Sequence, residues 1–123
     1  VQIATGIAAV AAGLNHSVFL KTDGTVRGAG DNRQRQLGGA NSASVPASVQ
    51  LAASATAIAT RHDHSVWITP DGALHGLGNN TAAQLGWPAS ATATPSALAP
   101  EVASLAAGIG HTLLLHTDGT LWS

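Results

Sequence analysis

Three histidines recur at nearly even intervals: His16, His64 and His111, 48 and 47 residues apart. Imidazole ligates transition metals and exchanges protons near neutral pH, so one histidine per repeat suggests a ring of metal ligands. The recurrence itself argues the other way. Scaffold positions repeat, whereas an active site occurs once, and a histidine at the same place in each repeat fits one that satisfies a backbone group. The stretch His62-Asp63-His64 is a second candidate. Residues two apart on a strand share a face, which would place two imidazoles on one ion. The spacing supplies no third ligand, so no metal, cofactor or catalytic residue is assigned.

The carboxylates follow the same rhythm. Asp23, Asp71 and Asp118 are each followed by glycine, at Gly24, Gly72 and Gly119. An Asp-Gly pair between two apolar runs is a hairpin signal, because glycine takes positive φ without steric cost and aspartate caps its own turn. That explains these carboxylates without catalysis. Gly28-Ala29-Gly30 begins like a dinucleotide loop, but position 33 is arginine and no helical pattern follows. No serine, histidine and acid fall in a known nucleophile spacing. Asn15-His16-Ser17 and Asn79-Asn80-Thr81 are formal glycosylation sequons. Binding chemistry is better sought where the copies differ. Arg33 and Arg35 make one loop cationic where the second copy has Thr81 and Ala83, and Trp87-Pro88 stands where the first copy has Gly39-Ala40. Arginine and tryptophan are enriched at binding hot spots, so Arg33, Arg35 and Trp87 are the candidate binding residues.

These residues must be positioned by the repeated elements around them. The copies "HSVFLKTDGTVRGAGDNRQRQLG" (16–38), "HSVWITPDGALHGLGNNTAAQLG" (64–86) and "HTLLLHTDGTLWS" (111–123) share one register, with Gln36-Leu37-Gly38 and Gln84-Leu85-Gly86 also 48 apart. Each unit reads as strands. An apolar run such as Ile7–Ala12 is followed by the histidine strand, the Asp-Gly hairpin, and a third strand ending near Gly30 or Gly78. After a polar loop comes a fourth strand near 45–51 or 95–98, placed at an edge because Pro46 cannot donate to a ladder. No window keeps helical spacing. Four short strands per repeat of this length is the arithmetic of a propeller blade. The expected fold is therefore all-β, with about three blades of four antiparallel strands. It is one partial propeller domain over 1–123, with repeats at about 1–48, 49–95 and 96–123. Val1-Gln2-Ile3 matches Val49-Gln50 in register and is expected to be a fourth-strand segment available to complete the last blade.

The repeat resembles that of the regulator of chromosome condensation family. The residues that carry the likeness are Gly13, His16-Ser17, Asp23-Gly24, Gly30, Asn32 and Gln36-Leu37-Gly38 in the first copy. The second has His64-Ser65, Asp71-Gly72, Gly78, Asn80 and Gln84-Leu85-Gly86; the third has Gly108, His111-Thr112, Asp118-Gly119 and Leu121-Trp122. The resemblance implies a β-propeller, usually of seven blades, that acts through protein contacts: nucleotide exchange on a small GTPase, peptide recognition or enzyme inhibition. Exchange activity is not carried over, since neither the loop insertion nor the histone- and DNA-facing surface of the exchange factor is matched here. The chain departs from the pattern at Arg61, where the other copies have Gly13 and Gly108, and at Ala29 and Leu77, where the family commonly has tryptophan.

Composition narrows the partners. Five Lys+Arg against six Asp+Glu give a formal net charge of −1, which supplies no basic surface for nucleic acid or an anionic membrane. No apolar run approaches the ~18 residues of a spanning helix. Cysteine is absent, which excludes disulfides and thiolate metal sites. Few charges and many small residues are in keeping with an extracellular bacterial protein. The expected function is a non-enzymatic scaffold for protein–protein interaction. The alternative is a structural module in which the unpaired blade edges of several chains close a ring, as a homo-oligomer or as a fragment of a longer propeller. A metal-dependent enzyme using the histidines is the remaining rival.

Overall fold

A computed structural model describes residues 1–39, 42–85 and 92–123. Its eleven described strands are β1 (Ile7–Ala12), β2 (His16–Lys21), β3 (Val26–Asn32), β4 (Ser42–Ala52), β5 (Ala57–Arg61), β6 (His64–Ile68), β7 (Leu74–Gly78), β8 (Thr92–Ala99), β9 (Val102–Ala107), β10 (Thr112–His116) and β11 (Leu121–Trp122). They form three antiparallel meanders in the orders β1-β2-β3-β4, β5-β6-β7-β8 and β9-β10-β11. No described residue is helical. The fold is all-β, with open sheets of three or four strands, and β4, which carries Pro46, is an edge strand.

The hairpins form because the same two residues solve the same turn three times. Gly24, Gly72 and Gly119 have φ of 88°, 82° and 86°, a region costly for residues with a Cβ. The preceding aspartate holds the turn closed. Asp23 Oδ1 accepts hydrogen bonds from the Thr25 amide (2.9 Å) and hydroxyl (2.7 Å), and Asp118 does the same with Thr120 at 2.9 and 2.7 Å. These bonds favour the ionised form, so all three turn aspartates titrate below the ordinary carboxylate range.

The sheets stack through their first strands, β5 lying between β1 and β9. Alternation then sorts side chains between the two faces of each sheet. Val18, Leu20 and Val26 of the first sheet meet Trp67 and Leu77 of the second, with Leu37 and Leu51 completing that core. Val66, Ile68, Leu74 and Leu85 of the second meet Val102, Leu105 and Leu114 of the third. The second junction is less filled, because Leu114 takes the place that Trp67 holds in the first. A cleft of about 470 Å³ opens there, lined by Leu74, Leu85, Ala99, Leu114 and Trp122 among others. Beyond the third sheet Leu113, Leu115 and Leu121 are exposed, although their counterparts Val18, Leu20 and Val26 are buried; Val10 is exposed on the opposite end of the stack.

One expectation is corrected. Val1-Gln2-Ile3 forms no strand, and Val1 and Ile3 are exposed. A strand exists through its ladder, and the sheet this segment was to complete lies two sheets away, so it has no edge to pair with.

Candidate functional site

The recurrent residues converge on the junctions between sheets. Serine or threonine follows each histidine, and in two junctions its hydroxyl reaches back to a glutamine carbonyl of the preceding sheet. Ser65 donates to Gln36 O at 2.9 Å, and Thr112 donates to Gln84 O at 2.7 Å. The glutamine loops are built to present those carbonyls. Asn32 and Asn80 each accept the amide of the leucine five residues on, at 2.8 Å. Gln36 Oε1 accepts the Gln34 amide and Gln84 Oε1 the Ala82 amide, both at 2.9 Å. Arg35 and Ala83 take the positive φ of the loop, 63° and 57°.

His16 adds a second clasp. Its Nε2 lies 2.7 Å from Thr60 Oγ1 and 3.0 Å from Ser65 Oγ, both across the junction. Each hydroxyl already has a carbonyl for its single hydrogen, Ser65 on Gln36 and Thr60 on His64 at 2.6 Å. Both therefore accept from His16, which carries its proton on Nε2. Burial lowers the pKa of His16, against the pull of Asp63 and Asp31, and its buried Nδ1 has no partner. The ring lies over Gly13, where a Cβ would collide with it; Gly108 leaves the same room for His111.

His64 has neither advantage. Arg61 stands at the glycine position, and Ala107 stands where Thr60 stands in the first junction. Both His64 nitrogens are buried without partners, and burial pushes its pKa down to about 4. His111 is exposed and lines the cleft of the second junction. Three histidines equivalent in sequence thus occupy three environments and share no centre. His62 stands in the turn after β5 at φ 51°, off the strand that carries His64, and pairs with Asp63 at 2.8 Å. Among the described residues no three His, Cys, Asp or Glu side chains are grouped to hold a metal.

The candidate binding loop is differently disposed. Arg33 forms a forked pair with Asp31, Nε to Oδ1 at 3.0 Å and Nη2 to Oδ2 at 3.0 Å. This bond holds the Asp31 carboxyl below its usual range. The Arg33 side chain stays largely exposed. Arg35 is one turn away with its backbone fixed at positive φ. Trp87 and Gly86 lie outside the described residues. Sequence reasoning missed Thr60, whose position carries alanine in the other copies, and Asp31, which neutralises Arg33. The His-Ser and His-Thr pairs were the visible signal for the clasp.

Residues 7–36 match the family model of the regulator of chromosome condensation (RCC1) repeat. No curated protein sequence matches the chain. Among solved structures, human WBSCR16 superposes with a TM-score of 0.84 at 25% identity, over 94% of this chain and 32% of its own. Yeast RCC1 (Prp20), in a complex with Kap60, gives 0.79 at 23% identity, over 94% and 31%. Prp20p from Saccharomyces cerevisiae, reported with its binding properties to Gsp1p and histones, gives 0.79 at 23% identity, over 94% and 32%. The chain spans about a third of the length of these proteins. The likeness to the yeast proteins is one of fold, and the three sheets are successive blades of that β-propeller.

Proposed function

We propose that this chain, whose residues 7–36 match the regulator of chromosome condensation repeat and whose fold is that of a partial β-propeller, is a non-enzymatic scaffold that binds other proteins through its loops. The observation that carries this reading is the employment of the recurrent polar groups. Asp23, Asp71 and Asp118 close turns, Gln36 and Gln84 shape loops, and His16, Ser65 and Thr112 join blades. Groups fixed in that way build a surface instead of performing chemistry, and variation at non-repeated positions such as Arg33 and Arg35 gives the surface its specificity. Solved relatives of this fold are recorded with protein partners, Kap60 in one case and Gsp1p and histones in another. The test is capture of a partner by the immobilised chain, followed by Arg33→Ala plus Arg35→Ala. Loss of capture with an unchanged melting curve supports the reading. Unchanged capture refutes the assignment of that loop.

A second reading rests on the exposed Leu113, Leu115 and Leu121 of the third blade and Val10 of the first. Their counterparts are covered by a neighbouring blade, so a further blade, from a second copy or a longer chain, would cover these. Sedimentation at micromolar concentration tests it: self-association that Leu113→Asp abolishes supports it, and a monomer throughout refutes assembly from copies of this chain.

A further inference from the structure

The tight loops that join the first and second strands of the three blades lie side by side on one face. Leu14, His62 and Ile109 hold the same repeat position in these loops. They line one hollow together with Ala12, Gly13 and Arg61. Leu14 and Ile109 are large apolar side chains left 59% and 61% exposed. Leu14 is fixed there by its own amide, which donates to His62 O at 2.9 Å. Between them stands Arg61, at a position that is glycine in both other blades. Arg61 is exposed, and its side chain takes part in none of the ion pairs or side-chain hydrogen bonds of the described residues. The nearby acidic groups are employed elsewhere: Asp63 pairs with His62 and Asp31 with Arg33, and both carboxylates line the adjoining hollow instead of this one.

We propose that this hollow binds an acidic segment of a partner protein, with a carboxylate on Arg61 and an aliphatic side chain on either side against Leu14 and Ile109. The inference rests on the reading of the chain as a protein-binding scaffold and adds to it a second locus and a ligand chemistry. A scaffold position left as glycine needs no side chain for the fold, so an arginine there serves something outside it. The guanidinium offers two parallel N–H groups to a carboxylate, and the apolar flanks exclude water from that pair. The partner's aliphatic side chains gain burial that the free protein leaves unused. The combination selects acid with apolar neighbours over acid alone.

The test uses the whole chain and two blocked pentapeptides, Ac-Ala-Leu-Glu-Leu-Ala-amide and the same peptide with glutamine at its centre, followed by NMR shifts of the backbone amides. The glutamate peptide is expected to bind about tenfold more tightly than the glutamine one, with shifts centred on Leu14, Arg61 and Ile109. Arg61→Gly, the residue of the other two blades, should bring the ratio to about one. Leu14→Ser should weaken both peptides together. Equal affinity of the two peptides, binding of neither, or shifts centred on Asp31 and Arg33 would overturn the proposal. Capture of a protein partner that survives Arg61→Gly but fails on the Arg33 and Arg35 changes would overturn it while leaving the scaffold reading intact.

Discussion

Acid should loosen the second junction through one residue, His64. In the folded chain its ring is fully buried, without a partner for either nitrogen, and its pKa is about 4. The unfolded chain keeps the ordinary value of 6.5. Above pH 6.5 both states are neutral at this site and it places no penalty on folding. Between 6.5 and about 4 the unfolded chain takes up a proton that the folded chain refuses, so stability falls as the pH falls. Below about 4 both states bind the proton and the loss levels off. At about 1.4 kcal/mol per unit of pKa difference, the full loss is on the order of 3 kcal/mol. His16, also lowered by burial, adds a change of the same sign. The turn aspartates act at more acid pH, because their folded pKa values lie below the ordinary carboxylate range. Urea unfolding followed by the fluorescence of buried Trp67 at pH 7.5, 5.5 and 4.5 measures the effect. The parent should lose stability steeply across this range and His64→Gln should lose much less. Parallel pH profiles for the two proteins would refute the assignment of the loss to His64.

Ala107→Thr supplies the hydroxyl that Thr60 supplies in the first junction, and should stabilise the chain by about 1 kcal/mol through one added hydrogen bond; calorimetry at pH 7.5 measures it. Ser65→Ala strands Gln36 O and leaves His16 Nε2 with Thr60 as its one acceptor, and should cost about 1–2 kcal/mol, whereas Thr112→Ala strands only Gln84 O and should cost about 1; urea midpoints of the two variants give the comparison. Ala83→Gly relieves a residue held at φ 57° and should stabilise by about 0.5–1 kcal/mol, read as a rise in melting temperature.

The repeat, the strand order and the hairpins were legible because they are local. Asp-Gly fixes a turn whatever surrounds it, and the β-branched and aromatic residues of "HSVFLK" and "HSVWI" place a strand before any partner is known. The fold class followed from the period alone. The junctions were not legible to the same degree. The partners of His16 are Thr60 and Ser65, 44 and 49 residues away, and Thr60 is alanine in the other copies, so no pattern within one repeat names it. For the same reason the sequence treated three histidines as one class, although the neighbour each one meets decides whether it is bonded, stranded or exposed. Val1-Gln2-Ile3 misled because register in sequence does not supply an edge in space. Arg33 was visible as a departure from the repeat, but its forked bond to Asp31 two residues earlier was not. Arg61 was visible as a missing glycine, but the hollow it lines with Leu14 and Ile109 was not, because that hollow is assembled from three separate repeats.

The hydroxyl clasps between blades run the same way along the chain, each blade offering a carbonyl or an imidazole to hydroxyls of the next. Stability is then handed on link by link, as in a one-dimensional array with nearest-neighbour coupling, and the links are unequal. The first has a tryptophan and two hydroxyls on its histidine; the second has a leucine and none. Opening should therefore begin at the carboxy-terminal blade and travel backwards, giving amide exchange that is fast over β9–β11, slower over β5–β8 and slowest where the first two blades meet.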